Sequence, residues 1–335
     1  MNRVRVLVVD DSAFARTVLS RLLRSSSEIE VVGTARNGTE ALAMIDSLAP
    51  DVVSLDLNMP ELDGVGVLRQ LHGRARPRVI VVSTSGSDTE LGAEALALGA
   101  VDLVEKPTAL ASDRLLEIGG PLVAKVVAAG GVPAPIAPEL EPSPPSAQRA
   151  ELVVVGTSTG GPQALTRLVA ALPATLAAPV AIALHIPAGY TEGLARRLDA
   201  LSPLHVVEAS DGLVVAPGMI VLARGGSHLR IVRRAGRFVA EVSPVPFRLF
   251  TPSVDELFTS AAQVTGARTL GVILTGMGDD GLLGSKLIAA AHGQLVTESA
   301  RTCVVYGMPR AVEEARLGAS SVPLDQIAGA ISQRV

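Results

Sequence analysis

Reactive side chains follow four separate apolar runs in the first third of the chain. Two runs end at carboxylates, one at hydroxyls and one at a lysine; the residues are Asp10, Asp11, Asp56, Ser83, Thr84 and Lys106. The carboxyl ends of parallel strands meet at one edge of a sheet, so these groups are expected to gather there. Carboxylates that lie so close together favour a hard divalent cation with oxygen ligands, such as Mg²⁺.

Asp56 is the candidate nucleophile of this set. A carboxylate can attack a phosphoryl donor when a cation and a lysine, here Lys106, neutralise the phosphoryl oxygens. Ser83, or failing it Thr84, would donate a hydrogen bond to the new phosphate. Taken singly, an aspartate at a strand end is more often a helix N-cap. The four strand ends together favour a phosphate-accepting pocket.

A second candidate nucleophile lies in a glycine-rich turn, Gly156-Thr157-Ser158-Thr159-Gly160-Gly161-Pro162. Glycines allow a tight bend between a strand and a helix, which exposes the hydroxyl of Ser158, and a helix N-terminus favours developing negative charge. A phosphate-binding loop and an N-cap serine are the alternatives. No Gly-Lys-Ser/Thr sequence follows, which disfavours a nucleotide P-loop.

A serine nucleophile needs a base, and His185 is the best placed histidine because it ends the apolar strand Val180–Leu184. In α/β-hydrolases the acid lies between the serine and the histidine in sequence. That order is impossible with His185, because residues 159–184 contain no Asp or Glu. The acid is therefore expected later in the chain.

The strand Leu270–Leu274 is followed by two neighbouring acids, Asp279 and Asp280. An acid there would give the order Ser, His, Asp, which is a different route to the same geometry. Composition alone does not choose between the two acids. A competing triad that keeps the hydrolase order is Ser158, Asp211 and His228. Its acid and its histidine are less clearly placed at the carboxyl ends of predicted strands.

Two α/β domains joined by a linker would position these groups. Residues 1–128 alternate apolar strands with helical patterns, which is typical of a parallel sheet with crossover helices. The predicted strands are Val4–Val9, Glu30–Gly33, Val52–Leu55, Val79–Val82 and Val101–Val104. Residues 129–150 contain six prolines and predict an extended linker. Residues 151–335 predict a second doubly wound, mostly parallel α/β domain with a β-rich insertion around Met219–Leu222, Leu229–Arg233 and Phe238–Val242.

Composition and charge exclude several classes of protein. A net charge of −4 without a basic stripe gives no attraction to nucleic acid. The single cysteine, Cys303, excludes an intramolecular disulfide and a cysteine-rich metal site, and it suits a reducing compartment. The sequence has neither a signal-peptide pattern nor an apolar stretch of membrane-spanning length. We therefore expect a cytoplasmic protein with no direct membrane insertion.

The first domain resembles two-component response-regulator receiver domains. The resemblance rests on Asp10-Asp11-Ser12, on Leu55-Asp56-Leu57-Asn58-Met59-Pro60-Glu61-Leu62-Asp63-Gly64 and on Glu105-Lys106-Pro107. It implies a flavodoxin-like sheet of order 2-1-3-4-5, with Asp56 as the phosphoacceptor and Ser83 and Lys106 as switch residues. The implied Mg²⁺ ligands are Asp10, Asp11, Asp56 and the backbone carbonyl of Asn58.

The second domain resembles the chemotaxis protein-glutamate methylesterases (CheB). The motifs are the Ser158 turn, Leu184-His185-Ile186-Pro187, Leu274-Thr275-Gly276-Met277-Gly278-Asp279-Asp280-Gly281 and Tyr306-Gly307-Met308-Pro309. The resemblance implies Ser158 as nucleophile, His185 as base and Asp280 as acid, without a cofactor. The implied oxyanion and support residues are Met277, through its backbone N–H, and Thr159. The sequence departs from the family at one position. Thr251 precedes the segment Pro252-Ser253-Val254-Asp255, whereas the family usually has an arginine there.

Together the two resemblances imply a phosphorylation-activated hydrolase of glutamate γ-methyl esters, acting in chemotaxis adaptation and also deamidating receptor glutamines. The implied partners are methyl-accepting chemotaxis receptors as substrate and a chemotaxis-type histidine kinase as phosphodonor. A DNA-binding effector domain is disfavoured, because residues 151–335 are too many, too β-rich and too weakly basic for a helix-turn-helix. A non-catalytic adaptor domain, or a role in another signalling pathway, stays open from the sequence.

Overall fold

The computed structural model describes residues 3–74, 76–84, 89–106, 118–131, 148–245 and 248–335. The chain divides into two units, Met1–Val132 and Pro133–Val335. The predicted linker, residues 129–150, falls mostly outside the described residues and stays a prediction. Among the described residues, no helix has both the length and the apolar character needed to cross a membrane.

The first unit is built on a five-stranded parallel sheet in the order β2-β1-β3-β4-β5, which confirms the predicted order. The strands are β1 (Val4–Val9), β2 (Ile29–Ala35), β3 (Val52–Leu55), β4 (Arg78–Thr84) and β5 (Asp102–Lys106). The helices described here are α1 (Ala13–Arg24), α2 (Gly38–Leu48), α3 (Gly64–Leu71), α4 (Thr89–Ala97) and α5 (Gly119–Gly130).

Local sequence signals explain where these elements begin. The strands β1 and β3 are predominantly apolar and almost wholly buried, as expected for a sheet covered on both faces. Ser12, Asn37 and Asp63 each cap a helix by accepting a backbone N–H two or three residues into it. The polar residues at the ends of β1 and β3 lie in the loops that lead to the helices α1 and α3, at one edge of the sheet.

The second unit contains a seven-stranded parallel sheet in the order β15-β14-β13-β6-β7-β10-β8. Its strands are β6 (Leu152–Thr157), β7 (Val180–Leu184), β8 (His205–Glu208), β10 (Met219–Leu222), β13 (Thr269–Ile273), β14 (Gln294–Glu298) and β15 (Ser320–Val322). The helices are α6 (Gly161–Ala171), α7 (Thr191–Asp199), α8 (Val254–Thr265), α9 (Leu282–Ala290), α10 (Met308–Glu314) and α11 (Leu324–Ser332).

The centre of this sheet carries the residues of interest. The strands β13, β6 and β7 are neighbours, and the ends of all three lead into the motifs that the sequence singled out. They are also completely buried, with Phe258 of helix α8 packed in the same core cluster. The fold therefore brings three distant parts of the chain to one edge of a rigid sheet.

The β-rich insertion is confirmed as a separate antiparallel sheet, with β12 (Arg237–Ser243) between β11 (His228–Arg234) and β9 (Val214–Val215). The stretch Met219–Leu222 differs from the expectation, because it joins the main sheet as β10, between β7 and β8. Its buried residues Ile220, Val221 and Leu222 explain this, since an edge of an exposed small sheet could not cover them.

Candidate functional site

In the first unit, three carboxylates meet at the ends of β1 and β3. Asp10, Asp11 and Asp56 each offer an oxygen, and these oxygens all lie within 4.8 Å of one another. From the end of β5, Lys106 Nζ lies 2.6 Å from Asp10 Oδ2 and 2.9 Å from Asp56 Oδ2. The structure thus brings together the acidic pocket that the sequence predicted.

The charge balance of this pocket suits a cation. Burial raises the pKa of Asp56 to about 6; the ammonium of Lys106 lowers it and the neighbouring carboxylate of Asp10 raises it further. Burial lowers the pKa of Lys106, but the two carboxylates outweigh it and hold the lysine charged. One lysine therefore faces three carboxylates. A hard divalent ion with oxygen ligands fits this donor set.

The remaining predicted residues of the pocket differ in exposure. Ser83 is completely buried at the end of β4, whereas Thr84 is partly exposed. Asn58 is exposed just after Asp56. Pro107, which completes the Lys-Pro motif, lies outside the described residues. The assignment of Ser83 over Thr84 stays a prediction.

In the second unit, the Ser158 turn joins β6 to α6. The backbone N–H of Ser158 donates to the carbonyl of Thr275, at 3.1 Å, which ties the turn to the end of β13. Gly160 has a φ of +83°, and a Cβ there would lie 2.6 Å from Val304 Cβ, so only glycine fits. Ser158 is 9% exposed, so the side chain is more buried than the expected exposed hydroxyl.

His185 and Asp280 form a buried pair. His185 follows β7, and its Nε2 lies 2.8 Å from Asp280 Oδ2; the side chains are 9% and 7% exposed. Asp280 also accepts from Ser253 Oγ (3.0 Å) and from the backbone N–H groups of Val254 (2.7 Å) and Asp255 (3.0 Å). Burial raises the pKa of Asp280, but the hydrogen bonds from His185 and the backbone outweigh it and lower the pKa below its usual value.

The structure separates the two neighbouring acids. Asp280 is buried against His185, whereas Asp279 is exposed. The competing acid and histidine, Asp211 and His228, make no hydrogen bond to each other in the described part of the chain. Asp211 is exposed and accepts the N–H of Val242, while Nδ1 of the buried His228 accepts the N–H of Ser253. Of the sequence-derived arrangements, the geometry favours the order Ser, His, Asp.

The hydrogen bond to Asp280 fixes the tautomer of His185. A carboxylate accepts from Nε2–H, so a neutral imidazole keeps its lone pair on Nδ1. Nδ1 is buried and has no hydrogen-bond partner among the described residues. It is thus the nitrogen left to take a proton from a nucleophile.

Thr275 links the Ser158 turn to the Met277 loop. Its hydroxyl donates to the Thr159 carbonyl at 2.9 Å, and its carbonyl accepts the Ser158 N–H. Thr159 is completely buried, and its oxyanion or support role stays a prediction. The backbone N–H of Met277 makes no hydrogen bond within the described part of the chain, so it is available to a ligand.

Comparison with known proteins decides the family. A family model described as CheB methylesterase matches residues 153–331, and the model for the response regulator receiver domain matches residues 6–118. This chain belongs to the CheB methylesterase family. It carries the receiver domain and the methylesterase domain in that order.

Relatives of this CheB-family chain match it along its whole length. A protein-glutamate methylesterase/protein-glutamine glutaminase of Myxococcus xanthus is 54% identical and covers 99% of this chain and 98% of the relative. One from Symbiobacterium thermophilum is 43% identical, covering 99% and 97%. The crystal structure of the Thermotoga maritima CheB methylesterase catalytic domain is 37% identical, has a TM-score of 0.54, and covers 56% of this chain and 99% of that one.

Thr251 stands where the CheB family usually has an arginine, and the structure shows an arginine close by in sequence. Arg248, three residues earlier, binds Glu256 of helix α8 through Nε at 2.8 Å and Nη2 at 2.5 Å. Arg230 of β11 binds the other oxygen of Glu256. An arginine is therefore present near the site, anchored to α8 instead of directly preceding Pro252.

Sequence reasoning missed three residues of this CheB-family site. Ser253 holds Asp280, Phe250 stacks on His185 with ring centroids 4.2 Å apart, and Glu298 supports Thr275. A signal existed for Ser253, because Ser253 followed by Glu256 matches a capping box at the start of a helix. Phe250 and Glu298 had none, since their partners lie far away in sequence.

Glu298 is a buried acid at the end of β14. It is 0% exposed, and its Oε2 accepts the N–H of Thr275 at 2.8 Å. Its Oε1 has no hydrogen-bond partner among the described residues. Burial raises the pKa of Glu298, and the hydrogen bond from Thr275 only partly opposes it. Folding thus shifts the carboxyl of Glu298 towards its protonated form.

We expect the stability of Glu298→Gln, relative to the wild type, to increase as the pH rises above 4.5, the ordinary pKa of a glutamate carboxyl. A carboxyl whose pKa is raised by folding stabilises the fold below its unfolded pKa, and this contribution is lost as the pH rises through the folded value. Glutamine keeps the acceptor for Thr275 and cannot ionise. The measurement is the difference in Tm across the pH range. Glu314→Gln, at an exposed carboxylate, is the control, and its difference in Tm from the wild type should not change with pH. A difference in Tm for Glu298→Gln that does not change with pH would contradict the expectation.

Proposed function

We propose that this chain hydrolyses glutamate γ-methyl esters of chemotaxis receptors, releasing methanol, and that Ser158, His185 and Asp280 perform the chemistry. The observation that carries the proposal is the buried pair of His185 and Asp280, 2.8 Å apart, at the strand end beside that of Ser158. Full-length relatives named protein-glutamate methylesterase/protein-glutamine glutaminase support the substrate class.

The proposed reaction runs through an acyl-enzyme. Ser158 Oγ attacks the ester carbonyl carbon while His185 Nδ1 takes its proton, and Asp280 stabilises the imidazolium. The N–H of Met277 donates to the oxyanion. The imidazolium then protonates the leaving methoxide, and methanol departs. A water, deprotonated by His185, cleaves the acyl-enzyme to give glutamate and free Ser158. Deamidation of a receptor glutamine follows the same route with ammonia as the leaving group.

The receiver domain is proposed to control this activity through phosphorylation of Asp56 by a chemotaxis-type histidine kinase. The residues that would hold Mg²⁺ are Asp10, Asp11, Asp56 and the carbonyl of Asn58. Mg²⁺, when bound, neutralises charge on the phosphoryl oxygens. Lys106 is held at the pocket by its two ion pairs and would contact the phosphoryl group, with Ser83 as the hydroxyl donor.

Covalent labelling tests the proposed nucleophile directly. The intact chain should release methanol from a methylated receptor, and a fluorophosphonate should abolish this release by modifying one serine. Mass spectrometry of the digested protein should place the adduct on Ser158. An adduct on another serine, or methanol release that survives complete labelling, would contradict the proposal.

A small phosphodonor with Mg²⁺ should accelerate methanol release by the wild type, but not by Asp56→Asn. The amide of asparagine cannot form an acyl phosphate, so the phosphodonor no longer activates the esterase, while the basal esterase activity remains. Activation of roughly 5- to 150-fold is the usual scale of coupling between sites. Asp46→Asn, at an exposed acid of the same domain, is the control and should be activated normally. Activation of Asp56→Asn to the wild-type level would place the phosphoacceptor elsewhere.

A further inference from the structure

Phe250 covers one face of the His185 imidazole. The two rings lie 7° from parallel with their centroids 4.2 Å apart. Phe250 is half-buried, and the side chain of His185 is almost completely buried, with 9% of it exposed. The contact is a nearly parallel stack, which restricts the tilt of the imidazole and shields that face from water.

Hydrogen bonding alone does not fix the plane of this imidazole. His185 is held through Nε2 by Asp280, and Nδ1 has no partner among the described residues. The torsion that turns a histidine ring about its Cβ–Cγ bond is intrinsically broad. A single hydrogen bond leaves part of this freedom, so a second contact is needed to aim Nδ1. The stack with Phe250 supplies that contact.

The backbone around Phe250 is anchored on both sides, so the phenyl ring is itself held in place. Arg248 binds Glu256, and the carbonyl of Thr251 accepts the N–H of Gly226 at 3.3 Å. Ser253, just beyond, donates its hydroxyl to Asp280. The segment 248–253 therefore supports the histidine through a ring and the carboxylate through a hydroxyl.

We propose that Phe250 is a positioning residue of the esterase reaction, which sets the plane of His185 so that Nδ1 meets the nucleophile. The inference rests on the proposed roles of Ser158 and His185. The stack also gains strength when the ring becomes an imidazolium, because a cation is attracted to an aromatic face. It thus favours the transition state over the ground state.

The test compares Phe250→Leu and Phe250→Met, which remove the ring, with Phe250→Tyr, which restores it. The control is Leu249→Ala, because Leu249 precedes Phe250 in the same segment and is 88% exposed. Each full-length variant is assayed for methanol release from methylated receptor, and for the rate at which a fluorophosphonate labels the protein. Labelling involves no receptor, so it reports activation of the nucleophile alone.

We expect both aliphatic variants to lose about 10- to 100-fold in kcat, the scale of a misplaced catalytic group, with KM unchanged. Their labelling should slow by the same factor, and Phe250→Tyr and Leu249→Ala should remain near the wild type. Labelling of both aliphatic variants within twofold of the wild type would overturn the inference, and a raised KM in that case would assign Phe250 to receptor contact.

Ser158→Ala, labelled in parallel, separates this inference from the proposed function. If Ser158→Ala is not labelled while Phe250→Leu is labelled at the wild-type rate, the nucleophile stands and only the role of Phe250 fails. Labelling of Ser158→Ala at the wild-type rate would refute the nucleophile, and the inference with it. The inference would also be overturned if Leu249→Ala slowed labelling as much as Phe250→Leu does. Any disturbance of the segment 248–253 would then be enough to slow labelling.

Discussion

Ser158→Ala is expected to abolish methanol release while leaving the fold intact. Loss of a serine nucleophile costs roughly 10⁶-fold in turnover in hydrolases of this kind. The hydroxyl of Ser158 makes no hydrogen bond with the rest of the described chain, and the turn is held through the backbone N–H, which alanine keeps. The change therefore removes the chemistry without removing a structural contact.

Methanol release and thermal unfolding of the same preparation check this expectation. The control is Ser285→Ala, because Ser285 of helix α9 is a buried serine whose hydroxyl likewise has no partner in the described structure. Both variants should keep Tm within about 2 °C of the wild type, since neither loses a hydrogen bond, and only Ser158→Ala should lose turnover. Substantial activity in Ser158→Ala would move the nucleophile to another residue.

Asp280→Asn is expected to reduce turnover by roughly 10²–10⁴-fold, the scale seen when a triad acid is neutralised. Each oxygen of Asp280 accepts from one backbone N–H, Oδ2 from Val254 and Oδ1 from Asp255. Whichever oxygen becomes an NH₂ group therefore faces a donor. The amide cannot stabilise the imidazolium of His185, and it also disturbs the start of helix α8, so some loss of stability should accompany the loss of rate.

Asp279→Asn is the matched control, since it makes the same chemical change one residue away at an exposed position. Its turnover should stay within about twofold of the wild type, because an exposed charge near a helix N-terminus contributes under about 1 kcal/mol. Rates are compared per folded molecule, to separate catalysis from stability. The reverse pattern would place the acid at Asp279, and small effects of both variants would favour Asp211 and His228.

The sequence predicted the parts of the fold that depend on continuous apolar runs. The strands predicted at Val4–Val9, Val52–Leu55 and Val180–Leu184 agree with the structure residue for residue. Burial on both faces leaves such strands few polar positions, here Arg5 and Ser54, so the signal in the sequence is strong. The residues that end them follow directly, which is why the acidic pocket and the histidine could be placed.

The sequence could not predict contacts that depend on how loops fold back. Asp279 and Asp280 are chemically identical, and the direction of each side chain is set by the backbone of the turn; only the family resemblance favoured Asp280. The stack of Phe250 on His185 depends on the path of a segment without regular structure. In the same way, Met219–Leu222 looked like part of the small sheet, because an apolar run of four residues does not reveal its partner strands.

The side-by-side packing of β6 and β13 has a consequence for biosynthesis. Thr157 Oγ1 donates to the carbonyl of Thr275, although the two residues are 118 positions apart along the chain. Contacts of such long range form slowly and only after much of the domain has been made. Ser158 and His185 leave the ribosome well before Asp280 does. If these three residues perform the chemistry as proposed, a nascent chain should be inert towards ester bonds until Asp280 has been synthesised and the central strands have paired.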